Sequence, residues 1–189
     1  MKVILGSSSK FRQQVMQDLG YDFEIVSPDI DEKSIRDNNP EKIVTKLAHA
    51  KAEAIIKKIK EPALIITADQ VISFKGKIRE KPTSNEEAFE FLSSYGEEPS
   101  ETVNSVVATN TENGKQVSGI DIVKVYLHPI PQDVINKLIE QGIIFHCAGA
   151  LRLEDPLMKA FIQKIDGTED SLMGLPKTLV KNLIKQVIS

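Results

Sequence analysis

An aspartate inside an apolar run is the residue of this sequence best placed to do chemistry. Ala63-Leu64-Ile65-Ile66 and Val71-Ile72 read as one buried strand, which Thr67-Ala68-Asp69-Gln70 interrupts. An ionised carboxylate among apolar neighbours is costly unless it is paired, hydrogen-bonded or bound to a metal ion. Asp69 is therefore the best single functional candidate in the chain; the plainer reading is a carboxylate that caps a loop or ends a strand at the surface. Lys51 is a second charge out of place. Val44, Leu47, Ala48 and Ile55 form one helical stripe, and Lys51 falls within it. Its stem can lie along that face with the ammonium at the edge, or the ammonium can point into a ligand pocket, which is the reading we prefer.

Cations near the N-terminus add a third feature. Val3-Ile4-Leu5 reads as a short buried strand, Gly6-Ser7-Ser8-Ser9 as a turn, and Ser9 as the N-cap of a helix. Phe11, Val15, Met16 and Leu19 share one face of that helix, and Gly20 stops it. Lys10 and Arg12 stand in its first turn, where the helix dipole favours acids. A bound anion removes the conflict, and strand, serine turn, helix start and cations together make a reasonable phosphate cradle; the plainer reading is a solvated Lys and Arg on a surface helix beside an ordinary serine turn. The spacing fits neither the P-loop nor the dinucleotide glycine pattern. The loop Ser27-Pro28-Asp29-Ile30-Asp31-Glu32 supplies three more carboxylates. Asp29 and Asp31 read as solvated, and Glu32 as a candidate ligand for a hard cation such as Mg²⁺.

Other chemistries find little support. His49, His128 and His146 lack zinc-site spacing, and no serine or cysteine has an evident histidine partner in sequence. Cys147, the only cysteine, rules out an intramolecular disulfide and reads as a packed thiol.

The elements that must position these residues are legible in order. Phe23 to Val26 reads as a strand. Asn39-Pro40-Glu41 starts a helix that runs to about Lys60, ending in lysines that suit its dipole. Lys75-Gly76 makes a tight turn, and Ile78 returns toward Glu80-Lys81-Pro82. Ser84 to Ser94 is a helix with a Ser84–Glu87 capping box. Thr102–Thr109 and Gly119–Leu127 are alternating strands around the turn Asn110–Gly114. Pro131–Gln141 is a helix stopped by Gly142, Ile143–Phe145 a short strand, and Lys159–Ile165 another. Pro176 opens a last amphipathic helix with Leu179, Leu183, Ile184 and Val187 inward. With 189 residues, 41% hydrophobic and 27% charged, the chain suits one α/β domain or two lobes sharing a sheet. A net charge of −3 argues against broad binding to nucleic acid or anionic membranes. The N-terminus has no long apolar stretch and nothing approaches a membrane span, so a reducing, cytoplasmic location is expected.

Together these residues resemble the Maf family of nucleoside triphosphate pyrophosphatases over essentially the full length, residues 1–189 forming a single such domain. Ser7-x-Ser9-x-x-Arg12 matches the family's Ser-x-Ser-x-x-Arg signature and Asp29-Ile30-Asp31-Glu32 its acidic loop. Ala48-x-x-Lys51-Ala52 matches its lysine helix, and Ala68-Asp69-Gln70-Val71 the segment with the proton acceptor. Lys81-Pro82 and Gly174-Leu175-Pro176 match later landmarks. The chain departs from the pattern at Lys10-Phe11, where the family has Pro-Arg. It departs again at Tyr95-Gly96-Glu97-Glu98-Pro99, where a Ser-Gly-Arg-Thr-His type turn is usual.

The resemblance implies an α/β fold with a twisted mixed sheet flanked by helices. It also implies two lobes with a nucleotide cleft, similar to the inosine-triphosphate pyrophosphatase fold. It further implies attack of water on the α-phosphorus, a required divalent cation (Mg²⁺ or Mn²⁺), and residue roles. Asp69 would deprotonate water, with Glu32 helping to hold the metal or that water. Lys51 and Lys81 would neutralise developing charge, and Ser7, Ser9 and Arg12 would hold phosphates. Gln70, with Glu154 after His146-Cys147-Ala148-Gly149, looks like the branch acting on 7-methyl-GTP; a carboxylate can accept from guanine N1–H and its 2-amino group together. The rivals are a dTTP/UTP pyrophosphatase of the same family, and a non-catalytic nucleotide-binding regulator of cell division. The family allows a homodimer, which nothing in the sequence specifies.

Overall fold

Successive residues of one long strand face two different cores, and this sets up the fold. The computed structural model describes all 189 residues. Strand β1 (Lys2–Leu5) pairs in parallel with β3 (Ala63–Phe74), Val3 opposite Leu64 and Leu5 opposite Ile66, and on its other side with β2 (Glu24–Ile25). Parallel neighbours need crossovers, and helices α1 (Lys10–Asp18) and α2 (Pro40–Ile56) provide them. Further strands are β4 (Lys77–Arg79), antiparallel to β3, then β5 (Ser100–Asn110), β6 (Lys115–Leu127) and β7 (Ile162–Asp166). The seven-stranded sheet runs β2-β1-β3-β5-β6-β7, with β4 beside β3. This is the mixed α/β class expected. No helix is long and apolar enough to cross a membrane.

Two compact units share the chain, residues 1–70, 103–122 and 168–189 forming one, and 71–102 with 123–167 the other. In the first, Leu5, Leu64, Ile66 and Ala68 pack with Val15 and Met16 of α1 and with the C-terminal helix. Ile4, Ala63 and Ile65 point the other way, against Ile55 of α2. Both faces of β3 are thus covered, as is usual where strands pair in parallel, here β3 with β1.

The second unit contains helices α3 (Asn85–Ser94), α4 (Gln132–Gln141) and α5 (Pro156–Lys159), with β7 antiparallel to the end of β6. Arg79 stacks over the rings of Phe74, Phe91 and Tyr95 at 4.2, 4.7 and 4.8 Å and donates to the Phe91 carbonyl. The buried Tyr95 hydroxyl donates to the Gly149 carbonyl at 2.8 Å. Two more helices, α6 (Glu169–Leu172) and α7 (Lys177–Ile188), return to the first unit.

Several elements differ from the sequence expectation, each for a local reason. Thr67–Gln70 does not interrupt β3. The Thr67 hydroxyl donates to the Ala48 carbonyl and Asp69 pairs with Lys51, so α2 satisfies the polar groups without breaking the strand. Ile143–His146 is a 3-10 turn, not a strand: left-handed Gly142 bends the chain, and the amides of Phe145 and Cys147 bond back to the carbonyls of Gly142 and Ile144. The strand expected from Lys159 begins at Ile162, because Asp155 caps a helical turn through the Leu157 amide. Helix α2 ends at Ile56 rather than near Lys60. Phe11 is 55% exposed, leaving Val15 and Met16 to make the buried face of α1. At α3, Ser84 caps the Glu87 amide as expected, but the Glu87 carboxylate accepts from the amide and hydroxyl of Thr83.

Candidate active site

Asp69 and Lys51 meet. Continuous β3 carries Asp69 alongside α2, and the ammonium of Lys51 donates to Asp69 Oδ1 at 2.6 Å. Each residue is only 7% exposed. Glu32, in a 3-10 turn (Glu32–Ser34) capped by Asp31, sets its Oε1 2.9 Å from the same ammonium. Two carboxylates therefore converge on one buried cation. Burial pushes the Asp69 carboxyl above the usual carboxylate range; the charges of Lys51 and then Arg12 pull it back, and Glu32 adds to the rise. A buried ion pair contributes little net stability against an apolar replacement. A carboxylate tuned upward while a cation holds one oxygen is what a general base needs.

The N-terminal turn is built as expected, with an unforeseen commitment of its arginine. Gly6 donates its amide to the Ile66 carbonyl at 2.8 Å. A Cβ there would lie 2.4 Å from Ile55 Cδ1 and 2.6 Å from Thr67 Cγ2, so only glycine permits this approach. Ser7 is buried and accepts from the Ser9 amide, and Ser9 caps α1 through the Arg12 amide. Half-buried Arg12 donates Nη1 to the Ala68 carbonyl at 2.8 Å and Nε to the Gly174 carbonyl at 3.0 Å. Burial lowers the pKa of its guanidinium, against the raising effect of the Asp69 and Glu32 charges. Five N–H donors leave Nη2 for an anion. Gln70 is committed in the same way, its Nε2 donating to the Leu172 carbonyl at 3.1 Å.

Lys81 and Glu154 belong to the second unit, where both are exposed. Glu154 is not the desolvated carboxylate that tight base recognition would favour; it follows the 3-10 turn Ala148–Ala150 in a loop. Burial first, and then the Glu154 charge, raise the pKa of the half-buried Cys147 thiol, while Arg152 and Lys81 oppose the rise. The thiol is thus only partly packed, with charged neighbours where an apolar setting was expected. Asp29 pairs with Lys58 at the surface, as its solvated reading requires.

The donor set can be weighed against a divalent cation. No three His, Cys, Asp or Glu side chains converge to hold a metal ion. Asp69 and Glu32 do share one locus. Two carboxylates, completed by phosphate oxygens and water, suit Mg²⁺, which dehydrates reluctantly and is often bound together with a nucleotide.

Sequence reasoning missed the segment Ser171–Gly174. Its carbonyls receive Gln70, Arg12 and Asn104, the last at 2.9 Å. The only signal was Gly174 in Gly-Leu-Pro. With φ of +82° and a would-be Cβ 3.1 Å from Arg12 Nε, this glycine lets its carbonyl reach the guanidinium.

The Maf-like protein family model matches residues 2–187. A 7-methyl-GTP pyrophosphatase of Dictyostelium discoideum is 45% identical, covering 98% of this chain and 96% of its own. A dTTP/UTP pyrophosphatase of Clostridium perfringens is 33% identical, covering 93% and 92%. Among solved structures, a dITP/XTP pyrophosphatase of Mycobacterium abscessus overlaps 69% of this chain and 76% of its own at a TM-score of 0.44 and 15% identity.

Proposed function

This chain belongs to the Maf family, and on that premise we propose that it is a nucleoside triphosphate pyrophosphatase favouring 7-methyl-GTP. The observation that carries the chemistry is the convergence of Asp69 and Glu32 on the buried ammonium of Lys51. Water attacks the α-phosphorus; the new P–O bond forms as the bond to the α–β bridging oxygen breaks, and pyrophosphate leaves. Asp69 accepts the proton of that water on a carboxyl whose other oxygen Lys51 steadies. Lys51 neutralises charge on the phosphate oxygens, and the Ser7–Ser9 turn with Arg12 Nη2 binds the polyphosphate. Asp69 and Glu32 would hold a divalent cation, which when bound supplies positive charge against the phosphate oxygens.

The preference for 7-methyl-GTP draws its support from the 45% identical Dictyostelium relative, together with Gln70 and Glu154. Exposed Glu154 has a free carboxylate to offer the two donors on the guanine edge. The 33% identical Clostridium relative favours the second reading, a dTTP/UTP pyrophosphatase.

A panel of 7-methyl-GTP, GTP, dTTP and UTP assayed for pyrophosphate separates the readings. Release is expected from 7-methyl-GTP above all. Preference for dTTP and UTP would select the second reading, and release from none would leave a nucleotide-binding regulator. Glu154→Gln keeps size but puts a donor where an acceptor stood. It should lower kcat/KM for 7-methyl-GTP by about tenfold and barely change that for UTP. Equal losses would make Glu154 an ordinary surface acid.

A further inference from the structure

Asn104 lies in β5, fully buried, with an amide that can face only one way. Its Nδ2 donates to the Ser171 carbonyl at 2.9 Å and sits 3.4 Å from Asp121 Oδ2. Turned over, the amide would set its oxygen against a carbonyl and a carboxylate, acceptor facing acceptor. It keeps its orientation although Oδ1, sealed from solvent, has no partner. The Ser171 carbonyl it fixes also faces Gln70, whose Nε2 lies 3.5 Å from it while donating to Leu172 at 3.1 Å. Two successive carbonyls thus engage the Gln70 amide nitrogen. What Gln70 can present to anything else is Oε1, an acceptor.

We propose that Asn104 is a positioning residue for base recognition: by holding the Ser171 carbonyl in place, it locks Gln70 with its acceptor toward the base. The proposal rests on the pyrophosphatase reading and adds to it a source of selectivity. A guanine edge offers two adjacent N–H donors and suits a fixed acceptor. Uracil and thymine offer one N–H between two carbonyls, and pair best with an amide that donates and accepts at once. Gln70 cannot do that while its nitrogen is engaged. Removing Asn104 takes away the side-chain donor to the Ser171 carbonyl and leaves it to the backbone amides of the turn after α6, Gly174 among them at 3.1 Å; the Gln70 amide can then turn, and the pyrimidine becomes acceptable. The chain Asp121–Asn104–Ser171–Gln70 lies wholly in the first unit and ends next to Asp69.

The test compares wild type, Asn104→Ala, Gln70→Ala and the double variant, each with 7-methyl-GTP and UTP. Asn104→Ala should reduce the ratio of the two kcat/KM values by about tenfold, the scale of one misdirected hydrogen bond. Gln70→Ala should reduce it similarly, and the double variant should fall no further, since both act through one amide. Equal losses on both substrates, or losses that multiply in the double variant, would overturn the proposal. Asn104→Leu, close in volume but without a donor, carries the same comparison if the alanine variant does not fold. Exchange of the Gln70 side-chain amide protons, followed by NMR without nucleotide, gives a readout independent of turnover. It should quicken at least about tenfold in the variant, and unchanged exchange would equally overturn the proposal. Absence of pyrophosphate from every nucleotide with the wild type would instead refute the pyrophosphatase reading, while the exchange measurement still decides whether Asn104 holds Gln70.

Discussion

Asp69 is held by opposing influences that substitution can separate. Burial raises its pKa, Lys51 and Arg12 lower it, and Glu32 raises it further. If Asp69 must be ionised to accept a proton, kcat/KM rises with pH through its pKa, so the acid limb lies above the ordinary aspartate range. Lys51→Gln removes the strongest influence favouring the ionised form, and the limb should move to higher pH. Glu32→Gln removes a like charge and should move it to lower pH. A pH–rate profile reads the position of the limb separately from its height, so both shifts remain visible in slow variants. Limbs that stay fixed would mean that another group titrates. Asp69→Asn should keep the fold and nucleotide binding yet slow turnover at least about a hundredfold, the low end for losing a general base. Turnover near the wild-type rate would exclude Asp69 from that role.

At the level of elements, the turn after α6 is the feature on which Arg12 and Gln70 depend. Gly174 has left-handed backbone, and a Cβ would stand 3.2 Å from Arg12 Nη2 and 3.4 Å from Gln70 Cδ. Gly174→Ala should therefore cost roughly 1–3 kcal/mol, seen as a lower denaturation midpoint, and weaken triphosphate binding through displaced Arg12. An unchanged midpoint would show that the turn can shift freely. This dependence also shows which parts of the site were legible beforehand. Asp69 and Lys51 stood out because a charge breaking an apolar pattern is a local signal, and the two charges proved to be each other's partners. Ser9 was legible as a cap for the same local reason. The partners of Arg12 were not: they are backbone carbonyls 56 and 162 residues away, and every residue carries a carbonyl. Buried Asn104 in β5 gave no hint, since its acceptor comes from α6. Strand identity also failed where tertiary satisfaction decided it, at Thr67–Gln70, and where a left-handed glycine redirected an apolar run, at Ile143–Phe145.

For the molecule as a whole, the unequal inventory of ligands makes a statement about linkage. The carboxylates at the site are two, already neutralised in part by Lys51, and no third His, Cys, Asp or Glu joins them. A divalent cation offered alone must compete with that ammonium for two ligands, so it should bind weakly and stabilise the fold little. A triphosphate offered alone meets the Ser7–Ser9 turn and Arg12, but also the negative charge of Asp69 and Glu32 that the single Lys51 ammonium leaves over. Together the two ligands supply each other's missing partners: the phosphates complete the cation's oxygen shell, and the cation screens phosphate from carboxylate. Because a ligand that binds only the folded state stabilises it by mass action, a hundredfold excess over Kd contributes about 2.7 kcal/mol. For a chain of this size that is roughly 5–10 °C in Tm. Melting curves should therefore show a small shift with Mg²⁺ alone, a small shift with a non-hydrolysable triphosphate alone, and a full shift with both. Glu32→Gln should reduce the combined shift more than either single one. A full shift with the nucleotide alone would mean that the cations of the chain suffice to hold the polyphosphate, and that Asp69 and Glu32 serve the attacking water without a metal ion.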